Sequence, residues 1–86
     1  MPRYLIERNF AEELDLTKEA VQSLNRVNEE EGVAWVFSFL SADKKKTFCL
    51  YEAQNPEAIR AAARRLNIPT DAIIEIREEI RPSMFA

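Results

Sequence analysis

The chain has 86 residues, 47% hydrophobic and 31% charged, with a formal net charge of −3, one cysteine and no histidine. That length and balance suit one globular domain with one modest core and exclude a disordered chain. The acidic balance argues against nucleic acid or an anionic membrane as partner, Cys49 alone cannot make an internal disulfide, and the lack of histidine removes the commonest general base and transition-metal ligand.

The first segment, "RYLIERNF", places Tyr4 and Ile6 on one side and Leu5 and Glu7 on the other, which predicts a strand over Pro2–Asn9. In "LTKEAVQSLNRVNEEEG" the residues Ala20, Val21, Leu24 and Val27 recur at helical intervals. Thr17 can cap the start of that helix and Gly32 can stop it. The acidic run Glu29–Glu31 lies where the macrodipole disfavours negative charge, and it reads as a solvated helix end. Val33–Leu40 and Thr47–Glu52 then form two strands joined by a turn around "ADKKK", a hairpin whose lysines read as a solvated tip. "NPEAIRAAARRLNIP" carries Asn55 as cap, Pro56 at the first helical position and Glu57 in the first turn. Ala58, Ile59, Ala62, Ala63 and Leu66 make its apolar stripe. "AIIEIREEI" alternates isoleucine with charge and predicts a final strand, and the tail "RPSMFA" is expected to be loosely held unless it packs on a partner.

No segment reaches the roughly 18 apolar residues of a membrane span, and the N-terminus lacks the apolar stretch of a secretion signal. A cytoplasmic location is therefore expected, which also suits the free Cys49.

The order β-α-β-β-α-β makes residues 1–86 a single α+β domain of ferredoxin-like arrangement: a four-stranded antiparallel sheet with two helices on one face. The first and third strands are central and Val33–Leu40 is an edge. Strict alternation along that edge would put Trp35, Phe37 and Phe39 on one side and Ala34, Val36 and Leu40 on the other. Both sets are largely apolar, yet the helices cover one face only. Each large side chain left in water forfeits about 1.5 to 3 kcal/mol, so a second copy packed sheet to sheet is the expected cover.

Several residues invite a functional reading. Cys49, between Phe48 and Leu50, reads as a small buried hydrophobe with no histidine to activate it. Glu7 and Arg8 in a central strand are expected to pair with Arg77 or Glu75 on the last strand, although Glu7 could instead face the space between two sheets. Trp35, Phe37 and Tyr51 read as interface packing or as walls of a site for a small apolar ligand. Glu7, Trp35, Phe37, Cys49 and Tyr51 together form the candidate ligand set in the interior between sheets. No catalytic residue, metal or cofactor is assigned. The expected function is non-catalytic binding by a homodimer. An enzyme of the dimeric α+β barrel kind, an oxygenase or isomerase using Glu7 or Tyr51 as acid or base, is the alternative, with a purely structural dimerisation module behind it. RNA binding is disfavoured, because Thr47 replaces the signature glycine of the RNA-recognition motif and the charge is acidic.

"MPRYLIERNF", "WVFSFLSADKKKTFCLYEA", "NPEAIRAAARRLNIPTDAI" and Pro82 together resemble a small bacterial family of ferredoxin-like domains of unknown function, one member of which is a nickel-binding protein. The resemblance spans nearly the whole chain. It implies the same fold and a dimer in which two sheets face each other. Similar sequences carry histidine where this chain has Phe37, and many carry another near Ala62. Cys49 matches the family's cysteine, but one thiolate with carboxylates is a poor nickel set, so the resemblance implies a lost metal site and not a retained one.

Overall fold

A computed structural model describing all 86 residues has β1 (Arg3–Asn9), α1 (Lys18–Glu30), β2 (Ala34–Leu40), β3 (Lys46–Glu52), α2 (Pro56–Leu66) and β4 (Ala72–Ile76), followed by a 3₁₀ turn at Pro82–Phe85. The strands form one antiparallel sheet in the order β2-β3-β1-β4, the ferredoxin-like α+β arrangement.

The helix boundaries follow local chemistry. Thr17 Oγ1 accepts from the Ala20 amide at 3.1 Å, and Asn55 Oδ1 accepts from the Ala58 amide at 3.0 Å, each satisfying an otherwise orphaned donor. α1 stops before Gly32, whose φ of 72° suits a residue without a Cβ, and α2 stops at Asn67 in the left-handed region. Glu30 and Glu31 are not simply solvated, as the sequence suggested: Arg65 of α2 bonds both, at 2.6 and 3.0 Å. The helices are thereby tied at one corner by exposed pairs of small energetic value.

The hairpin tip also has a local explanation. Ser41 Oγ donates to Asp43 Oδ1 at 2.6 Å, the Lys45 amide donates to the same oxygen, and Lys44 takes a φ of 63°. Those contacts set the register of β2 on β3, which residue alternation left open.

Tyr4, Ile6, Cys49, Tyr51 and Ile59 are buried in one cluster with Val33 and Ala53, against which Trp35, Ala58 and Ile73 pack. The even residues of β1 and the odd residues of β3 therefore face the helices. Two sequence expectations need correction. Strict alternation fails in β2, where a bulge lies between Trp35, opposite Tyr51, and Phe37, opposite Leu50. The extra residue re-phases the strand, so Trp35, Ser38 and Leu40 share the helix side and Phe37 and Phe39 share the open side. The last strand ends at Ile76 and does not reach Ile80, because Ile76 already lies opposite Arg3, where β1 begins. Beyond Arg3 lies Pro2, which has no amide to donate and whose carbonyl already accepts from the Ala53 amide at 3.1 Å.

Candidate functional site

The bulge and the register produce two distinct apolar surfaces. On the open face, Phe37 of β2 lies opposite Leu50 of β3, Leu50 opposite Leu5 of β1, and Leu5 opposite Ile74 of β4, so one apolar row crosses all four strands. Phe39 and Phe48 extend it, with the Phe37 and Phe39 rings edge to face at 5.4 Å. Phe37 is 46% exposed, Phe39 66% and Ile74 55%. Charges flank the row: Glu7 and Lys46, 3.2 Å apart, on one side, and Arg3 opposite Glu52 on the other.

The second surface lies on the helix side. The loop between β1 and α1 is held down by amide bonds from Phe10 to the Lys45 carbonyl, 2.7 Å, and from Leu14 to the Lys44 carbonyl, 2.8 Å. Together with Leu24 of α1 and Ile68, the loop walls a partly open pocket of about 70 Å³ whose floor is Arg8, Trp35, Cys49 and Tyr51. The Trp35 indole donates to Ser38 Oγ at 2.8 Å, a contact that three residues' separation forbids in a regular strand and the bulge permits. Cys49 Sγ is buried beside Thr47 Oγ1 at 3.5 Å.

Arg8 departs most from expectation. It is only 3% exposed and pairs with neither Glu75 nor any other carboxylate within 4 Å. Its Nη1 donates to the Pro69 carbonyl at 2.7 Å and to Thr70 Oγ1 at 3.0 Å, and its guanidinium carbon lies 5.6 Å from the Tyr51 ring centre. Burial pushes the Tyr51 hydroxyl above its ordinary pKa, while the Arg8 charge and hydrogen bonding with Arg8 and Asn28 pull the other way. Asn28 is the one buried residue of α1, and its Nδ2 has no well-formed acceptor.

The five residues that the sequence grouped together do not share a face. Glu7 and Phe37 stand on the open side, whereas Trp35, Cys49 and Tyr51 line the helix-side pocket and cannot border a space between sheets. The physical reason is the side-chain alternation itself: Cys49 and Tyr51 share the parity of the core, and the bulge returns Trp35 to it. Glu7 and Tyr51, offered as acid or base, therefore cannot meet on one substrate within one chain. Arg8, Asn28 and the loop residues Phe10, Leu14 and Leu16 were not grouped with the site by sequence. The spacing of three large apolar residues in an otherwise acidic loop, "FAEELDL", was the signal available.

The sheet order and helix placement define a small ferredoxin-like α+β domain with an unburied sheet face. Residues 4–76 match the family described as "Nickel responsive protein SCO4226-like", and the chain belongs to that family. Among solved structures, SCO4226 of Streptomyces coelicolor A3(2) superposes with a TM-score of 0.77 at 18% identity, covering 91% of this chain and 99% of that one. At that identity the likeness establishes the fold. No curated protein sequence matches.

The family's description raises the question of nickel, and the donors of this chain do not fit it. There is no histidine, Cys49 has only a hydroxyl nearby, and no three of its cysteine, aspartate or glutamate side chains come close enough to hold a metal ion. No helix is long and apolar enough to cross a membrane.

Proposed function

We propose that this protein is a non-catalytic homodimer that binds a small apolar ligand and has lost the metal site implied by its family. The observation that carries the dimer is the apolar row Phe37–Leu50–Leu5–Ile74 with its exposed neighbours Phe39 and Phe48. Water contact at this many large side chains is costly, and a contiguous patch of this kind on one sheet face is a contact surface. A second copy suits it because the flanking charges come in both signs, Arg3 and Lys46 with Glu7 and Glu52, so a twofold axis can bring each toward its opposite.

Ligand binding is supported by the helix-side pocket, where three of the five residues singled out in the sequence converge. Catalysis is disfavoured by chemistry: the pocket offers no histidine, and Cys49 has no base beside it. The reading places the protein in a reducing cytoplasm, where Cys49 stays free. Sedimentation of the full chain tests the dimer, a monomer at all concentrations contradicting it. Metal analysis of protein purified without a histidine tag tests the lost site, since stoichiometric nickel contradicts that part alone.

A further inference from the structure

The helix-side pocket has an electrostatic asymmetry that its apolar walls do not need. Arg8 and Asn28 are each only 3% exposed, and around Tyr51 they bring together more donors than acceptors. A guanidinium carries five N–H donors and a primary amide two. The acceptors around them are few and neutral: the Pro69 carbonyl and Thr70 Oγ1, both reached through the same Nη1, and the single Tyr51 hydroxyl oxygen that Arg8 and Asn28 share. The Asn28 Nδ2 has none of good geometry. No carboxylate lies within salt-bridge distance of Arg8, and no acidic residue lines the pocket. Burying a charge without a counter-ion is among the costliest arrangements a fold can hold, and a protein designed only for stability would place an apolar side chain there. The bonds to Pro69 and Thr70 instead fix the guanidinium in place, which preorganises it for an anion.

We propose that this pocket binds a small carboxylic acid with a compact apolar body, its carboxylate meeting the Arg8 guanidinium and its body packing on Trp35, Leu24 and Ile68. The proposal rests on the ligand-binding reading above and gives that ligand its chemical class. Carboxylate and phosphate both match a guanidinium fork, and a small pocket with apolar walls suits the carboxylate, which brings one charge and can carry an apolar body; charge-assisted bonds of this kind are stronger and more directional than neutral ones. The volume of about 70 Å³ is about half of the roughly 150 Å³ that holds a benzene and equals roughly five to seven waters at 10–15 Å³ each, so a short branched chain with its carboxylate fits and an aromatic ring or a long acyl chain does not.

Trp35 is the chain's sole tryptophan and lines the pocket, so its fluorescence reads occupancy without a label. The full-length protein is titrated with isobutyrate and, separately, with isobutyramide, a neutral molecule of the same shape. The expected result is saturable isobutyrate binding at least about tenfold tighter than isobutyramide, with the difference abolished in Arg8→Met, which keeps the stem and removes the charge. Leu24→Trp, which fills the pocket from α1, should remove binding of both probes, read by calorimetry because the variant carries a second indole. Because Arg8→Met changes a buried position, its fold is checked by circular dichroism; if it fails to fold, the wild-type isobutyrate-to-isobutyramide ratio and the Leu24→Trp result decide. Equal affinity for the two probes, or isobutyrate binding that survives Leu24→Trp, overturns the proposal while leaving the ligand-binding reading in place. Silence of Trp35 toward both probes overturns the two together.

Discussion

Phe39→Ser is the sharpest test of the open sheet face. Phe39 is 66% exposed in one chain, so about two-thirds of its surface is left for a partner to cover. Full burial of a phenylalanine side chain contributes about 1.5 to 3 kcal/mol, which leaves roughly 1 to 2 kcal/mol for Phe39 at the contact. A twofold interface counts the residue twice, so the loss is about 2 to 4 kcal/mol per dimer, or a dissociation constant raised from about 30-fold to nearly 1,000-fold. The substitution removes little from the fold of a single chain, because the side chain lies on the open face and outside the buried cluster. Sedimentation equilibrium over a broad concentration range measures both dissociation constants, with circular dichroism as the control for folding. A dissociation constant within roughly threefold of wild type would refute the reasoning, because a contact centred on the aromatic row cannot be indifferent to its most exposed ring.

Three further outcomes are expected. Ile59→Ala, at a site only 1% exposed at the junction of α2 with the sheet, should cost about 2 to 5 kcal/mol, read from the shift in the urea midpoint; a change below about 1 kcal/mol would mean that the α2–sheet layer is loosely packed. Cys49 should resist a thiol reagent in native protein and react fully in denaturant, since it is buried beneath the helices; fast native labelling would place the thiol in open solvent. Asp43→Asn should destabilise the protein at neutral pH. Ser41 and the Lys45 amide hold the Asp43 carboxyl below its ordinary pKa, so its contribution is present above about 3.9, the unfolded value, and is lost as pH falls through the lower folded value. Stability curves of variant and wild type that stay parallel across that acid range would show that the carboxylate does not hold the turn.

Local signals in this chain were strong because each depends on neighbours in sequence. Thr17, Asn55 and Pro56 start helices by bonding or omitting amides within one turn, and they do so here. The alternation in "RYLIERNF" marked β1 and set Tyr4 and Ile6 on the side opposite Leu5 and Glu7; the fold made the Tyr4 and Ile6 side the buried one. The fold class followed from element order, because a split pair of βαβ units has few ways to bury its helices. Once the element order implied helices on one face only, the surplus of large apolar residues in "WVFSFL" also marked an uncovered sheet face.

Three features were decided only by tertiary structure. The bulge in β2 lies in its pairing with β3, and one inserted residue transferred Trp35 away from Phe37 and onto the core side. The length of β4 depends on where β1 begins, since a ladder needs a partner for each residue. The environment of Arg8 depends on Pro69 and Thr70, more than 60 residues away, which supply neutral oxygens where the charge pattern suggested a carboxylate on β4. Sequence periodicity can say that a residue faces inward, but it cannot say what awaits it there. The meeting of Arg8, Tyr51 and Asn28 is a property of the folded chain, and it is what turns an apolar gap beneath α1 into a candidate anion site.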